Sequence, residues 1–226
     1  MQAFAFLESR LEKRALPESA SEAAYAGLGG KDKALLKKCI ARLYRIFGES
    51  VVSETRTKSF REGFTLEIRE SPAAFSLFVC ESAYPSPPLC LAALLPALLS
   101  GAPLLFCFIP SPDKKEPDPA LLVALELAGV EKSYLLAETE LLAELDKMGP
   151  PAHPGRMLLL GRAEIFAKLA LFAHKQALPC LSLPRTPFAG FIADEEHKDF
   201  ALWPDLSPAW FRSRSARIAC ADSAGA

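Results

Sequence analysis

"AYPSPPLCLAALLPALLSGAP", residues 83–103, carries no charged side chain, and the apolar run continues to Ile109. From Leu89 to Ile109 the run is just long enough to cross a bilayer. Three features argue against a span. Pro96 interrupts it, "SGAP" at 100–103 reads as a helix stop and turn, and no Lys or Arg flanks it closely. Two elements fit better. Ser86 is placed to cap a helix that runs to Leu99, with Pro87 in its first turn. Pro96 then kinks that helix or sits near its last turn, and Gly101 ends it. "LLFCFI" (104–109) follows as a strand buried on both faces, as in a parallel sheet covered by helices.

Working outward, the same alternation repeats. "FSLFVC" (75–80) reads as a strand before the helix. "PSPDKKEPDP" (110–119) is a polar loop, and "ALLVALELAG" a helix closed by Gly129. "KSYLLA" and "RMLLLG" read as strands, each followed by a helix, "TELLAELDKMG" and "EIFAKLALFAHKQ". "CLSLP" and "FAGFIAD" add two more strands. The pattern predicts an α/β fold, a mostly parallel sheet wrapped by helices. Leu77, Val79, Leu105, Phe106, Leu135, Leu158, Leu159 and Ile192 are its expected core.

Upstream, residues 3–16 and about 19–27 look helical. "KALLKKCIARLYRIFG" places Leu35, Leu36, Cys39, Ile40, Leu43 and Phe47 on one stripe, stopped by Gly48. "FTLEIR" (64–69) alternates as a half-exposed strand. After Asp194 no period is clear, and the tail reads as surface-docked or partly disordered. Its "FALWPDLSPAWF" (200–211) carries enough aromatic area to require a cover, on its own domain or in a homodimer. The expected organisation is an N-terminal helical segment with one strand (1–70), a nucleotide-binding-type domain (71–195) and a C-terminal tail (196–226).

Composition bounds the partners. The chain has 226 residues and a net charge of -1, which argues against a nucleic-acid binder. The six cysteines form no CxxC pair and read as buried free thiols of a reducing cytosol. Glu8, Arg10, Glu12 and Lys13 interrupt any signal-peptide core. The expectation is a cytoplasmic protein that meets neither membrane nor nucleic acid.

"AYPSPPLCLAALLPALLSGAP", "DPALLVALELAGVEKSYLL", "ETELLAEL", "GRMLLLGRAEIFAKLALFAHKQ" and the closing "GFIAD" together resemble the histidinol dehydrogenase family of the aldehyde-dehydrogenase-like group. The resemblance covers about residues 75–195. It implies a Rossmann-like subdomain that takes NAD, in zinc- and NAD-dependent enzymes that oxidise an amino alcohol to an amino acid. The chain is roughly half the family's length and lacks the half that supplies most catalytic and metal-binding residues.

The resemblance also assigns the cofactor crevice. Phe78 matches an aromatic position that is tyrosine in the family. Glu81 and Ser82 stand near positions where the family has glycines, which let backbone N–H groups reach a pyrophosphate. Glu140 falls where a glutamine meets the cofactor. Gly161 is retained from a Gly-Pro-Gly-Asn turn, and Glu164 replaces its asparagine. Two readings stand for each. Glu81 and Ser82 either border a ligand or form an ordinary strand-to-helix turn. Glu140 and Glu164 either join Glu81 in the crevice or are solvated acids of first helical turns. Arg162, Arg185, Lys114 and Lys115 would soften that negative field. His153, His174 and His197 are too scattered for a metal motif, so no residue takes a catalytic or metal-binding role.

The expected function is therefore a histidinol dehydrogenase-like protein that keeps the nucleotide-binding fold without the catalytic equipment, a ligand- or partner-binding module. The alternative is an NAD-dependent oxidoreductase completed by another subunit.

Overall fold

The computed structural model describes residues 2–48, 54–148, 155–162, 164–184 and 212–220. Five apolar runs form one parallel sheet, and two charged segments with a third strand form a separate antiparallel one. The elements run α1 (Gln2–Leu11), α2 (Glu18–Gly27), α3 (Gly30–Phe47), β1 (Glu54–Ser59), β2 (Phe64–Pro72) and β3 (Ser76–Glu81). There follow α4 (Pro87–Leu99), β4 (Leu104–Ile109), α5 (Pro119–Leu127), β5 (Ser133–Leu135) and α6 (Glu138–Met148). Last come β6 (Arg156–Gly161), α7 (Ala167–Lys175), β7 (Cys180–Pro184) and β8 (Arg212–Cys220). The parallel sheet has the order β5-β4-β3-β6-β7, and the small sheet β1-β2-β8.

The strands of the large sheet are apolar throughout because each feeds two cores. Phe78, Cys80, Phe106, Phe108, Leu158 and Leu160 face α4 and α5. Leu77, Val79, Leu105, Cys107, Met157 and Leu159 face α1, α6 and α7. Period-two alternation thus divides one apolar run between two covered faces. The uncharged stretch has the same cause. In α4 every residue from Cys90 to Ala97 is buried, because α3 covers the side turned away from the sheet. A helix that is apolar all round belongs in such an inner layer. Ser86 caps it, accepting the Leu89 N–H at 3.3 Å. Pro96 sits in its last turn, and Gly101 follows at φ 73°. Among the described residues no helix is long and apolar enough to cross a membrane.

Several expectations need correction. Leu35 lies off the buried stripe of α3 and is exposed, whereas Leu36 and Leu43 are buried. Leu135 is only half-buried, at the edge strand. The helix expected from Glu164 begins at Ala167, with Phe166 in the capping position. β1, "ETRTKS", was not foreseen, and the supposedly patternless tail holds β8, antiparallel to β2 from Phe64–Cys220 to Pro72–Arg212. The exposed strand β1 has no apolar alternation to betray it. Arg185, the expected strand "FAGFIAD", Ile192, the aromatic tail segment, His153 and His197 lie outside the described residues.

Candidate functional site

Chain order and sheet order part company between β3 and β6. From β3 the chain winds outward through β4 to β5, then returns to the other flank for β6 and β7. At such a switch point the helices after the two central strands lie on opposite faces, leaving a crevice at the strands' carboxyl ends. Here β3 ends at Glu81 and β6 at Gly161.

Glu81 is fully buried at this point. One carboxylate oxygen, Oε2, accepts the backbone N–H of Arg162 at 3.0 Å, and Oε1 accepts Arg162 Nε at 2.9 Å. Arg162 Nη2 lies 2.6 Å from Glu81 Oε1 and 3.1 Å from Asp113 Oδ2. These are ion-pair distances outside hydrogen-bond geometry. The hydrogen bond to Glu81, and then the charges of Glu81 and Asp113, raise the Arg162 pKa against the opposing effect of desolvation. A buried carboxylate demands such partners. Gly161 makes the approach possible. Its φ is 146°, and a Cβ there would stand 2.6 Å from Glu81 Cβ and 2.8 Å from its Oε2.

Ser82 is equally committed. Its hydroxyl donates to Lys114 O and accepts the Ser111 N–H at 2.9 Å. Its carbonyl accepts the Asp118 N–H at 3.0 Å. Asp118 caps α5 through the Ala120 N–H and pairs with Lys114 at 2.9 Å. The loop 110–118 is thus tied to the first strand-to-helix turn.

The remaining expected site residues are elsewhere. Phe78 is buried in mid-strand and stacks on Phe106, ring centroids 6.0 Å apart. Glu140 pairs with Arg14 and accepts the Ala137 N–H at 3.0 Å, closing the first turn of α6. Glu164 is exposed in the turn before α7. So Glu81, Ser82 and Gly161 come together, joined by Arg162 and Asp113. Two contributors went unrecognised in the sequence. Asp113 lies in a loop rich in like residues. Glu138, at the start of α6, accepts the Leu169 N–H at 3.2 Å across 31 residues, and no local pattern announces it.

The arrangement has a definite chemical character. A dinucleotide at a switch point needs free backbone donors and a glycine-lined approach for its pyrophosphate. Here Glu81 takes the Arg162 N–H and fills the room beside Gly161, and Glu138 takes a donor in the first turn of α7. These residues do not fit NAD. Burial holds the Cys80 and Cys107 thiols of the core well above their usual pKa, which disfavours the reactive thiolate at both. Among the described residues no cluster of His, Cys, Asp and Glu could hold a metal ion.

Against solved structures, the chain is similar to histidinol dehydrogenase from Elizabethkingia anophelis, with a TM-score of 0.56 at 16% identity over 76% of this chain and 40% of that one. The fold is dehydrogenase-like. A NAD-dependent benzaldehyde dehydrogenase from Corynebacterium glutamicum matches with a TM-score of 0.46 at 15% identity, over 81% of this chain and 41% of that one. A putative aldehyde dehydrogenase from Burkholderia cenocepacia matches with 0.44 at 16%, over 80% and 38%. The chain thus spans well under two thirds of each neighbour's length. No family model matches the sequence, and no curated protein is significantly similar to it.

Proposed function

We propose that this chain is a histidinol dehydrogenase-like protein that uses the nucleotide-binding fold as a binding module and performs no dehydrogenation by itself. The observation that carries this reading is the buried Glu81–Arg162 pair at the switch point. A phosphate entering there would meet a carboxylate already holding the donors it needs. Like charges about 4 Å apart repel by roughly 1 kcal/mol in water and about 4 kcal/mol at intermediate dielectric. Arg162 offers no compensation while Glu81 and Asp113 hold it.

The test is titration calorimetry of the chain with NAD, followed by NADH formation from histidinol with zinc present. No heat of binding and no NADH are expected. Micromolar binding together with steady NADH production would overturn the proposal and favour an oxidoreductase.

A further inference from the structure

The crevice lies at the carboxyl ends of the strands. A cavity of about 320 Å³ lies at the opposite, amino ends, where β4 begins at Leu104 and β5 follows Lys132. It is large enough for a small organic molecule. Part of its wall is apolar: Phe4 of α1, Leu98 of α4, Leu104 and Val130.

The polar part carries a negative balance. Glu8 and Glu131 line it together with Lys132. The Lys132 ammonium is engaged by Glu12 at 3.1 Å and lies 4.0 Å from Glu8. One ammonium thus serves three carboxylates, and among the described residues Glu131 takes part in no ion pair. Helices α4 and α5 both end at this cavity: Leu98 is in the last turn of α4, and Gly129 follows the cap of α5. A helix carboxyl end adds partial negative charge.

Tyr134 makes an independent observation. Its side chain lines the cavity and is 1% exposed. Its hydroxyl has no hydrogen-bond partner among the described residues. A buried hydroxyl left unpaired costs stability in the free protein. Desolvation, and then the charges of Glu8 and Glu12, push its pKa up to about 12. It therefore stays a neutral phenol with lone pairs to offer a donor. These residues do not suit a metal ion, since among the described residues no group of His, Cys, Asp and Glu could hold one. An anion would be repelled by the same carboxylates. A positively charged N–H donor on an apolar body suits every part of the wall.

We propose that this cavity binds a small organic cation, a primary ammonium ion on an alkyl or arylalkyl body. The ammonium is held by Glu8 and Glu131 and donates to the Tyr134 hydroxyl. The body packs on Phe4, Leu98, Leu104 and Val130. The site does not rest on the reading of the crevice, which lies at the other end of the sheet and is tested with NAD.

Titration calorimetry of the whole chain with phenethylamine and n-butylamine tests it, with phenylacetate and 2-phenylethanol as anionic and neutral counterparts. At least one amine should saturate with a Kd below about 1 mM, and both counterparts should bind at least about tenfold more weakly. Tyr134→Phe removes the acceptor and should weaken the amine about tenfold. Because the hydroxyl has no partner to lose, the same variant should melt no lower than its parent when ligand is absent. Glu8→Gln/Glu131→Gln should weaken the amine about tenfold as well. Glu126→Gln, at an exposed acid outside the cavity, should leave it unchanged. Binding of neither amine up to about 10 mM, equal binding of phenylacetate, or an affinity that Tyr134→Phe does not change would overturn the proposal. So would a Tyr134→Phe chain that melts clearly below its parent, which would show the hydroxyl to be a structural group. Glu126→Gln weakening the amine as much as the double variant does would also overturn it, because the attraction would then belong to a diffuse acidic surface.

Discussion

Replacing Gly161 by alanine examines the crevice at its tightest point. The added Cβ would meet Glu81 Cβ at 2.6 Å, Glu81 Oε2 at 2.8 Å and Phe166 Cε2 at 3.0 Å. Glu81 cannot simply swing aside, because it is fully buried and tethered to the Arg162 N–H. Two costs combine. Overpacking of a filled site costs about 1–3 kcal/mol, and a non-glycine residue at φ 146° adds about 1–3 kcal/mol of backbone strain. The expected destabilisation is about 2–6 kcal/mol. For a chain of this size each kcal/mol moves the melting temperature by about 2–4 °C, so the midpoint should fall by roughly 4–24 °C. Thermal unfolding by circular dichroism reads it. A double-mutant cycle with Glu81→Gly assigns the cause. Removing the Glu81 side chain should relieve the clash, so the two costs together should fall short of their sum by at least about 1 kcal/mol. A Gly161→Ala protein melting within about 2 °C of its parent, or strictly additive costs, would refute the packing argument.

Two further outcomes concern the rest of the fold. Arg10 and Lys147 both hydrogen-bond Glu144, and Arg10 does most to lower its pKa, from 4.5 to about 2. That stabilisation is present above the unfolded value and lost as pH falls from about 4.5 towards 2. Glu144→Gln should therefore lose the corresponding share of acid sensitivity, and an unchanged unfolding profile in that window would show that α1 is not held to α6 in this way. Alkylation of the native protein at about pH 8 should reach half-buried Cys39 and exposed Cys180 slowly, the latter because desolvation by its surroundings pushes its pKa up to about 11. Cys80, Cys90 and Cys107 should stay unmodified until denaturant is added. Peptide mass spectrometry showing Cys107 modified as fast as Cys180 would sink the placement of β4 in the core.

The large sheet was legible because its strands are short apolar runs bounded by proline or glycine. β4, β6 and β7 match their expected limits residue for residue. Burial on two faces removes polar residues from a strand, and that depletion is visible without any contact information. β1 and β8 carry no such signature. Their pairing with β2 is backbone hydrogen bonding on a small sheet, and charged residues serve it as well as apolar ones. Leu35 shows the limit of periodicity on α3. It lies beside Leu36 in sequence, yet a rotation of about 100° per residue takes it out of contact with α4. At the site, Glu81, Ser82 and Gly161 are singled out by the resemblance to histidinol dehydrogenases, and the structure sets Glu81 and Gly161 side by side at the ends of β3 and β6. Their partners were not legible in the same way. In the sequence Glu81 either borders a ligand or belongs to an ordinary strand-to-helix turn, with several basic residues available to soften its charge, and in the structure Arg162 and its backbone N–H hold it. Which of Arg162, Lys114 and Lys115 would do so depends on side-chain reach across strands far apart in sequence. Lys114 instead turns to Asp118.

The position of β3 at the centre of the sheet also bears on synthesis. Its partner β4 follows within one helix, but its other neighbour, β6, begins about 75 residues after β3 ends. At about 5–20 residues per second the ribosome needs roughly 4–15 s to deliver it. Throughout that interval "SLFVCE" presents an unpaired edge, and α7, which helps to cover its Leu77 and Val79, is not yet made. Such an edge invites pairing with another nascent chain. Production of this protein should therefore be limited more by chaperone supply during elongation than by the stability of the finished sheet.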